Sequence, residues 1–313
     1  MRTIFFGTPE EAADILRSLL ETKKEIVAVV TQPDRPKGRG LALESSPVKQ
    51  VAQIFGLPIF QPEKLGDSVF ERSISFLDPD IGIVVAYGKL IPKNILDIPK
   101  LGFFNLHASL LPRYRGAAPV QWALINGEKE TGVTVFKLVE ALDAGDMIAQ
   151  EKIKIDPEDT AATLGEKLFA AGKKLLIEAL DKIELGKIKF SRQDGSKATL
   201  APKISKELGS INFKDSAKKT SRLVRGLTPH PGAYTFYKGK LLKIFKTEIK
   251  SARESEHKEP GTVVELVKNI GFEVISSDKN LLIKEVQPEG GRRMSAWDFV
   301  IGHRLKTGDI LPS

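Results

Sequence analysis

The feature that most limits the folds open to this chain is a series of short, almost unbroken apolar runs that alternate with helical patterns. Thr3 to Gly7, Glu25 to Val30 and Ile81 to Gly88 are runs of this kind. A strand that is apolar on both faces has to be covered on both, which calls for a mostly parallel sheet with helices on either side. Between the first two runs, Ala12, Ile15, Leu16 and Leu19 mark a helix that begins at Thr8-Pro9-Glu10. Helices are predicted over 47–56, 67–77 and 119–125, with strands at 58–61, 103–107, 131–138 and 147–155. A long amphipathic helix over 160–186 follows, with Leu164, Leu168, Leu175, Leu176 and Leu180 on its buried side. This pattern predicts a Rossmann-like α/β domain. Its first turn, Gly7-Thr8-Pro9-Glu10, lacks the Gly-x-Gly-x-x-Gly phosphate fingerprint, which argues against a nicotinamide oxidoreductase.

At 313 residues the chain exceeds the usual domain of about 100–200 residues. The period changes after a polar stretch at 191–202, so the expected division is a first domain at 1–190, a linker at 191–204 and a second domain at 205–313. The second part carries a helix near 215–226 and short strands at 233–237, 241–249, 261–267, 271–276 and 280–286. Tyr237-Lys238-Gly239-Lys240 reads as a hairpin turn, and Ser295 to Ile301 as a short helix. Five short strands in a module of this size predict a small OB-like β-barrel. The net charge of +8 divides unevenly. Residues 1–202 hold 27 basic and 27 acidic side chains, whereas 203–313 hold 21 and 13. All the excess lies in the second part, which suits a polyanionic partner such as nucleic acid. No apolar run reaches the roughly 20 residues a membrane span needs, and Met1 to Gly7 is too short for a secretory signal. A cytoplasmic protein is expected, and a monomer, because no heptad pattern calls for an obligate assembly.

The chemistry concentrates in Gly102 to Pro119. Residues two apart on a strand share a face, so Asn105 and His107 point the same way at the end of the strand at 103–107. Leu110-Leu111-Pro112 ends that strand with an apolar ledge, and Arg113, Arg115 and Gly116 form a basic turn. In open α/β sheets ligands bind outside the carboxyl ends of the strands. The Tyr87-Gly88 turn and the loop 139–146, which carries Asp143, converge on the same edge. This set suits an amine attacking a carbonyl. An imidazole can take and return the proton, an amide N–H can stabilise the oxyanion, and a carboxylate can hold the imidazole and favour its charged form. A lone histidine or asparagine at a strand end is usually structural; the concentration of all three groups is what points to a site. With no Cys and no Gly-x-Ser-x-Gly elbow, a covalent acyl-enzyme is not indicated. No second His has ligand spacing, so no metal is expected. The basic, Gly- and Pro-rich stretch 31–47 reads as a long mobile loop suited to a phosphate backbone.

Asn105-Leu106-His107 with Ser109 to Pro112 and Arg113 to Gly116 resembles the formyltransferases that use 10-formyltetrahydrofolate. Gly132-Val133-Thr134-Val135 through Leu142 to Asp146 is similar to that family's second signature. Thr31 to Gly40 and Gln121-Trp122-Ala123 look like the members that act on initiator methionyl-tRNA, and the likeness runs through Ala201 to Ile204 to the basic last third. The resemblance implies Asn105, His107 and Asp143 as catalytic residues. It implies folate contacts at Ser109, Leu110, Leu111 and Pro112, with Tyr87 and Gly88 lining the cleft. Arg35, Lys37 and Arg39 would then meet the tRNA acceptor end, and the basic second domain the rest of the tRNA. Leu41-Ala42-Leu43-Glu44 departs from the more basic stretch of many relatives. Two other readings stay open at this point: transfer to a purine-pathway or sugar amine, and an RNA-binding protein with an inactive first domain.

Overall fold

The structure, a computed structural model, describes residues 1–37, 42–251 and 259–312. The chain divides into two compact units. The first comprises 1–119, 130–154 and 166–202, and the second 120–129, 155–165 and 203–313.

The first unit is built on a seven-stranded sheet. Its strands are β1 (Thr3–Gly7), β2 (Ile26–Val30), β5 (Ile59–Phe60), β6 (Ile81–Val85), β7 (Phe103–His107), β8 (Glu130–Lys137) and β9 (Met147–Lys154). β3 (Arg35–Lys37) and β4 (Ala42–Glu44) pair separately as a two-stranded antiparallel sheet. The stretch 31–47 therefore has secondary structure of its own, contrary to a plain loop. In the large sheet the order is β5-β2-β1-β6-β7-β8-β9. The contacts from β5 to β7 are parallel, and β7·β8 and β8·β9 are antiparallel. The apolar runs behave as their composition requires, since β1 and β6 are buried along their whole length. Ile4 and Phe6 pack with Phe70 and Ile74 of α3 (Ser68–Phe76) and Ile95 of α4 (Lys93–Leu96). Alternation sends Phe5 to the other face, where α1 (Glu10–Glu21) and α2 (Pro47–Ile54) bury Ile15, Leu16, Val48 and Val51. Phe6 meets the rings of Tyr87 and Phe103 edge-on at 5.3 and 5.2 Å. Such pairs add about 0.5–1.5 kcal/mol each beyond the area they bury.

Residues 191–202, expected as linker, are hydrogen-bonded within this unit. Ser191 pairs with Met147, and Arg115 pairs with Leu200.

In the second unit α5 (Pro119–Asn126) contributes Ile125, which packs against the core. α6 (Ala161–Glu184) begins in this unit and continues in the first. After α7 (Ala217–Leu227) come β10 (Ala233–Tyr237), β11 (Lys240–Lys250), β12 (Val263–Val267), β13 (Gly271–Ile275), β14 (Asn280–Pro288), β15 (Met294–Ser295) and α8 (Ala296–His303). All strand pairings here are antiparallel, in the order β10-β11-β14-β13-β12 with β15 on β14. Phe213, Leu227, Ile244, Phe272, Val286 and Phe299 fill the core. Among the described residues, β10 and β12 are the edges of this sheet, and the last residues of the chain connect them. Leu311 N donates to Gly261 O beside β12, while Thr235 Oγ1 and Tyr237 OH on β10 donate to Pro312 O and Asp309 Oδ2. Backbone groups on both edges are engaged as well, Val263 N of β12 donating to Asp309 O and Ile211 N to Tyr234 O of β10. No helix among the described residues is long and apolar enough to cross a membrane.

Candidate functional site

The site lies in the first unit, at the carboxyl ends of β6 and β7. Asn105 and His107 sit two apart on β7, opposite Phe136 and Thr134 of β8. Asn105 is half-buried, and its side-chain amide makes no hydrogen bond among the described residues. His107 is buried, with Nε2 2.9 Å from Tyr114 O. A carbonyl only accepts, so this partner assigns the proton of the neutral ring to Nε2 and leaves Nδ1 bare. Nδ1 stands 3.8 Å from Asp143 Oδ2. That is too long for a hydrogen bond, although the two groups face each other. The same Oδ2 accepts from Gly116 N at 2.8 Å. Asp143 takes the left-handed conformation, with φ 46°. His107 and Asp143 are thus brought together across the 113–118 turn and the 139–146 loop, with Asn105 two residues before His107 on β7.

What holds these turns is the segment 191–201. Thr199 Oγ1 accepts from Tyr114 N, and Thr199 O from Arg115 N. Ala201 O accepts from Ala118 N, and a side chain at Gly116 would meet that oxygen at 2.6 Å. Gln193 bonds to the Asp143 loop on one side and to the Arg115 guanidinium on the other. Sequence reasoning missed both Gln193 and Thr199, because nothing local distinguishes them from other polar residues of a linker.

The ledge 109–112 is internally committed. Ser109 is buried, and its Oγ donates to Arg113 O. Thr134 Oγ1 donates to Ser109 O and accepts from Leu111 N, while Gln150 Nε2 donates to Leu111 O. Leu111 is buried; Leu110 and Pro112 are half-buried. The Leu111–Pro112 peptide is cis. At the neighbouring turn the Tyr87 ring belongs to the core, and burial pushes its phenol up to about 12. Its hydroxyl finds no hydrogen-bond partner among the described residues, and the same holds for Gln32 Oε1. Gln32 Nε2 and Thr8 Oγ1 donate to Tyr87 O. What this turn can offer a ligand is Gly88, where a side chain would meet open space. Arg35 and Lys37 lie on β3, and Arg39 falls outside the described residues.

Gly145 anchors the Asp143 loop. A Cβ there would stand 1.7 Å from Lys137 O, and Lys137 N is itself bonded to Asp146 O. The clash is with backbone, so the loop must shift. Gly145→Ala is expected to lower stability by about 1–3 kcal/mol in urea unfolding. Gly165→Ala, on α6 with open space around it, should raise stability by up to about 1 kcal/mol.

The chain matches the Formyl transferase family over residues 1–180 and the Formyl transferase, C-terminal domain family over 203–304. It is 47% identical over 306 residues to the methionyl-tRNA formyltransferase of Thermodesulfovibrio yellowstonii, with 97% of each chain covered. It is 43% identical to that of Caldanaerobacter subterraneus subsp. tengcongensis, over 99% of this chain and 100% of the relative. Among solved structures it resembles HypX from Aquifex aeolicus in complex with tetrahydrofolic acid, with a TM-score of 0.68 at 18% identity over 100% of this chain and 51% of that one. The N-formyltransferase from Helicobacter canadensis, in complex with folinic acid and dTDP-3-aminofucose, has a TM-score of 0.67 at 18% identity, covering 90% and 99%. These two share the fold, whereas the curated relatives share nearly half their residues along the whole length. The chain belongs to the methionyl-tRNA formyltransferase family.

Proposed function

We propose that Asn105, His107 and Asp143 carry formyl transfer from 10-formyltetrahydrofolate to the α-amino group of methionine on initiator methionyl-tRNA. Bound in the cleft, the folate supplies the formyl carbon. The residues suit such a ligand: open space over Gly88, half-buried Leu110 and Pro112, and an amide at Asn105 with no hydrogen-bond partner among the described residues. Asn105 donates its N–H to the formyl oxygen as that atom gains charge under attack by the amine. His107 takes the proton from the attacking nitrogen at Nδ1, because Nε2 is held by Tyr114 O. Asp143 stabilises the imidazolium so formed, and His107 returns the proton to the departing folate nitrogen. Ser109 Oγ is buried and bonded to Arg113 O, which favours direct attack over an acyl-serine. The stretch 31–47, with Arg35, Lys37 and Arg39 in its sequence, takes the acceptor end, and the basic excess of 203–313 takes the rest of the tRNA.

The observation that carries this reading is the His107 ring, with one nitrogen fixed by a carbonyl and the other turned to a carboxylate 3.8 Å away. Incubation of the chain with 10-formyltetrahydrofolate and methionyl-tRNA, followed by acid-gel or mass analysis, should give formylmethionyl-tRNA. A dTDP-amino sugar or a purine-precursor amine offered in its place should give no formylated product. Formylation of either at a comparable rate would overturn the assignment of substrate.

A further inference from the structure

We infer that Gln193 is the positioning residue that holds His107 and Asp143 in working register. Gln193 is buried, and a buried amide is costly unless its hydrogen bonds are made. All four are made. Nε2 donates to Asp143 O at 2.8 Å and Gly145 O at 2.7 Å. Oε1 accepts from Arg115 Nε at 3.1 Å and Nη2 at 2.7 Å. The partners on both sides are the ones the site depends on. Asp143 carries the carboxylate and sits at φ 46°, a backbone state that persists only where surrounding structure imposes it. Arg115 stands between Tyr114, whose carbonyl holds His107 Nε2, and Gly116, whose N–H holds Asp143 Oδ2. One amide therefore fixes the loop that bears the carboxylate to the turn that orients the imidazole. Gln193 is itself anchored from behind, two residues past the Ser191–Met147 bridge. It is not placed to touch the substrate in this scheme; it acts through Asp143.

The inference rests on the reading of His107 and Asp143 as a catalytic pair, and the test separates the two. Gln193→Met keeps length and loses all four bonds. Gln193→Glu keeps an acceptor for Arg115 but turns a carboxylate toward two carbonyl oxygens. In the full-length chain, with 10-formyltetrahydrofolate and methionyl-tRNA, each should lower kcat by about 10–10²-fold, the scale of a misplacement near 1 Å. KM for both substrates should stay within about twofold. Rates are taken per folded molecule, from melting curves of each variant, and either variant alone suffices if the other does not fold. On an Asp143→Ala background, Gln193→Met should cost less than about twofold more, since the group it positions is gone. Wild-type kcat in both folded Gln193 variants would overturn the inference while leaving the pair intact. So would a full multiplicative loss on the Asp143→Ala background, which would mark a role independent of Asp143. Wild-type kcat in Asp143→Ala itself would overturn the pair, and the inference with it.

Discussion

His107→Ala is expected to slow formyl transfer by about 10²–10⁴-fold, the usual worth of a positioned acid–base group. The loss should fall on kcat, with affinity for tRNA unchanged, because the ring is buried at the floor of the site. Alanine also removes the bond to Tyr114 O, so a structural explanation needs its own control. His107→Gln provides one. A glutamine amide can donate to Tyr114 O and keep the 113–118 turn in place, yet it cannot carry a proton at the position facing Asp143. If the imidazole works as a proton carrier, His107→Gln melts near the parent temperature and remains slow. Recovery of kcat to within tenfold of the parent would reduce His107 to a strut, and the proton would need another acceptor.

Asn105→Ala is the second large effect, expected at about 10²–10³-fold in kcat, the cost of deleting one oxyanion donor. The free protein should hardly notice the change, since the side-chain amide has no partner among the described residues to lose. Stability within about 0.5 kcal/mol of the parent is therefore part of the expectation. Asn105→Asp sharpens the test. It matches the amide in shape, removes the donor and sets a negative charge where the substrate oxygen gains one, so it should be slower than alanine. An aspartate variant faster than the alanine one would exclude stabilisation of negative charge at this position.

Gln193 and Asn105 contrast in a useful way. Each is a side-chain amide in the first unit, and each is proposed to serve the reaction by a different route. The Asn105 amide is half-buried and has no hydrogen-bond partner among the described residues. Gln193 has its full set of bonds within the protein. A buried network satisfied at every atom is rigid, which is what the proposed proton transfer at His107 would require of the groups around it.

By itself the sequence determined most elements of the first unit, though not the β3–β4 pair or α4, and which residues of β7 share a face. Runs such as Thr3–Gly7 and Ile81–Val85 are apolar on both faces, so no placement but a covered parallel sheet buries them. Period-two geometry sent Asn105 and His107 to one side of β7, because side-chain alternation is a property of the strand alone. The antiparallel strands and basic character of the last third were legible for the same local reasons. Only the tertiary structure decided how the site is held. Gln193 bonds across 78, 50 and 48 residues, and Thr199 across 85, from a stretch whose composition says only that it is polar. Only the structure shows that the Tyr87 ring packs on Phe6 and that Ser109 Oγ donates to Arg113 O. Local pattern records which face of an element is buried; which distant backbone group completes a buried amide depends on how the chain returns, and no window of neighbouring residues contains that.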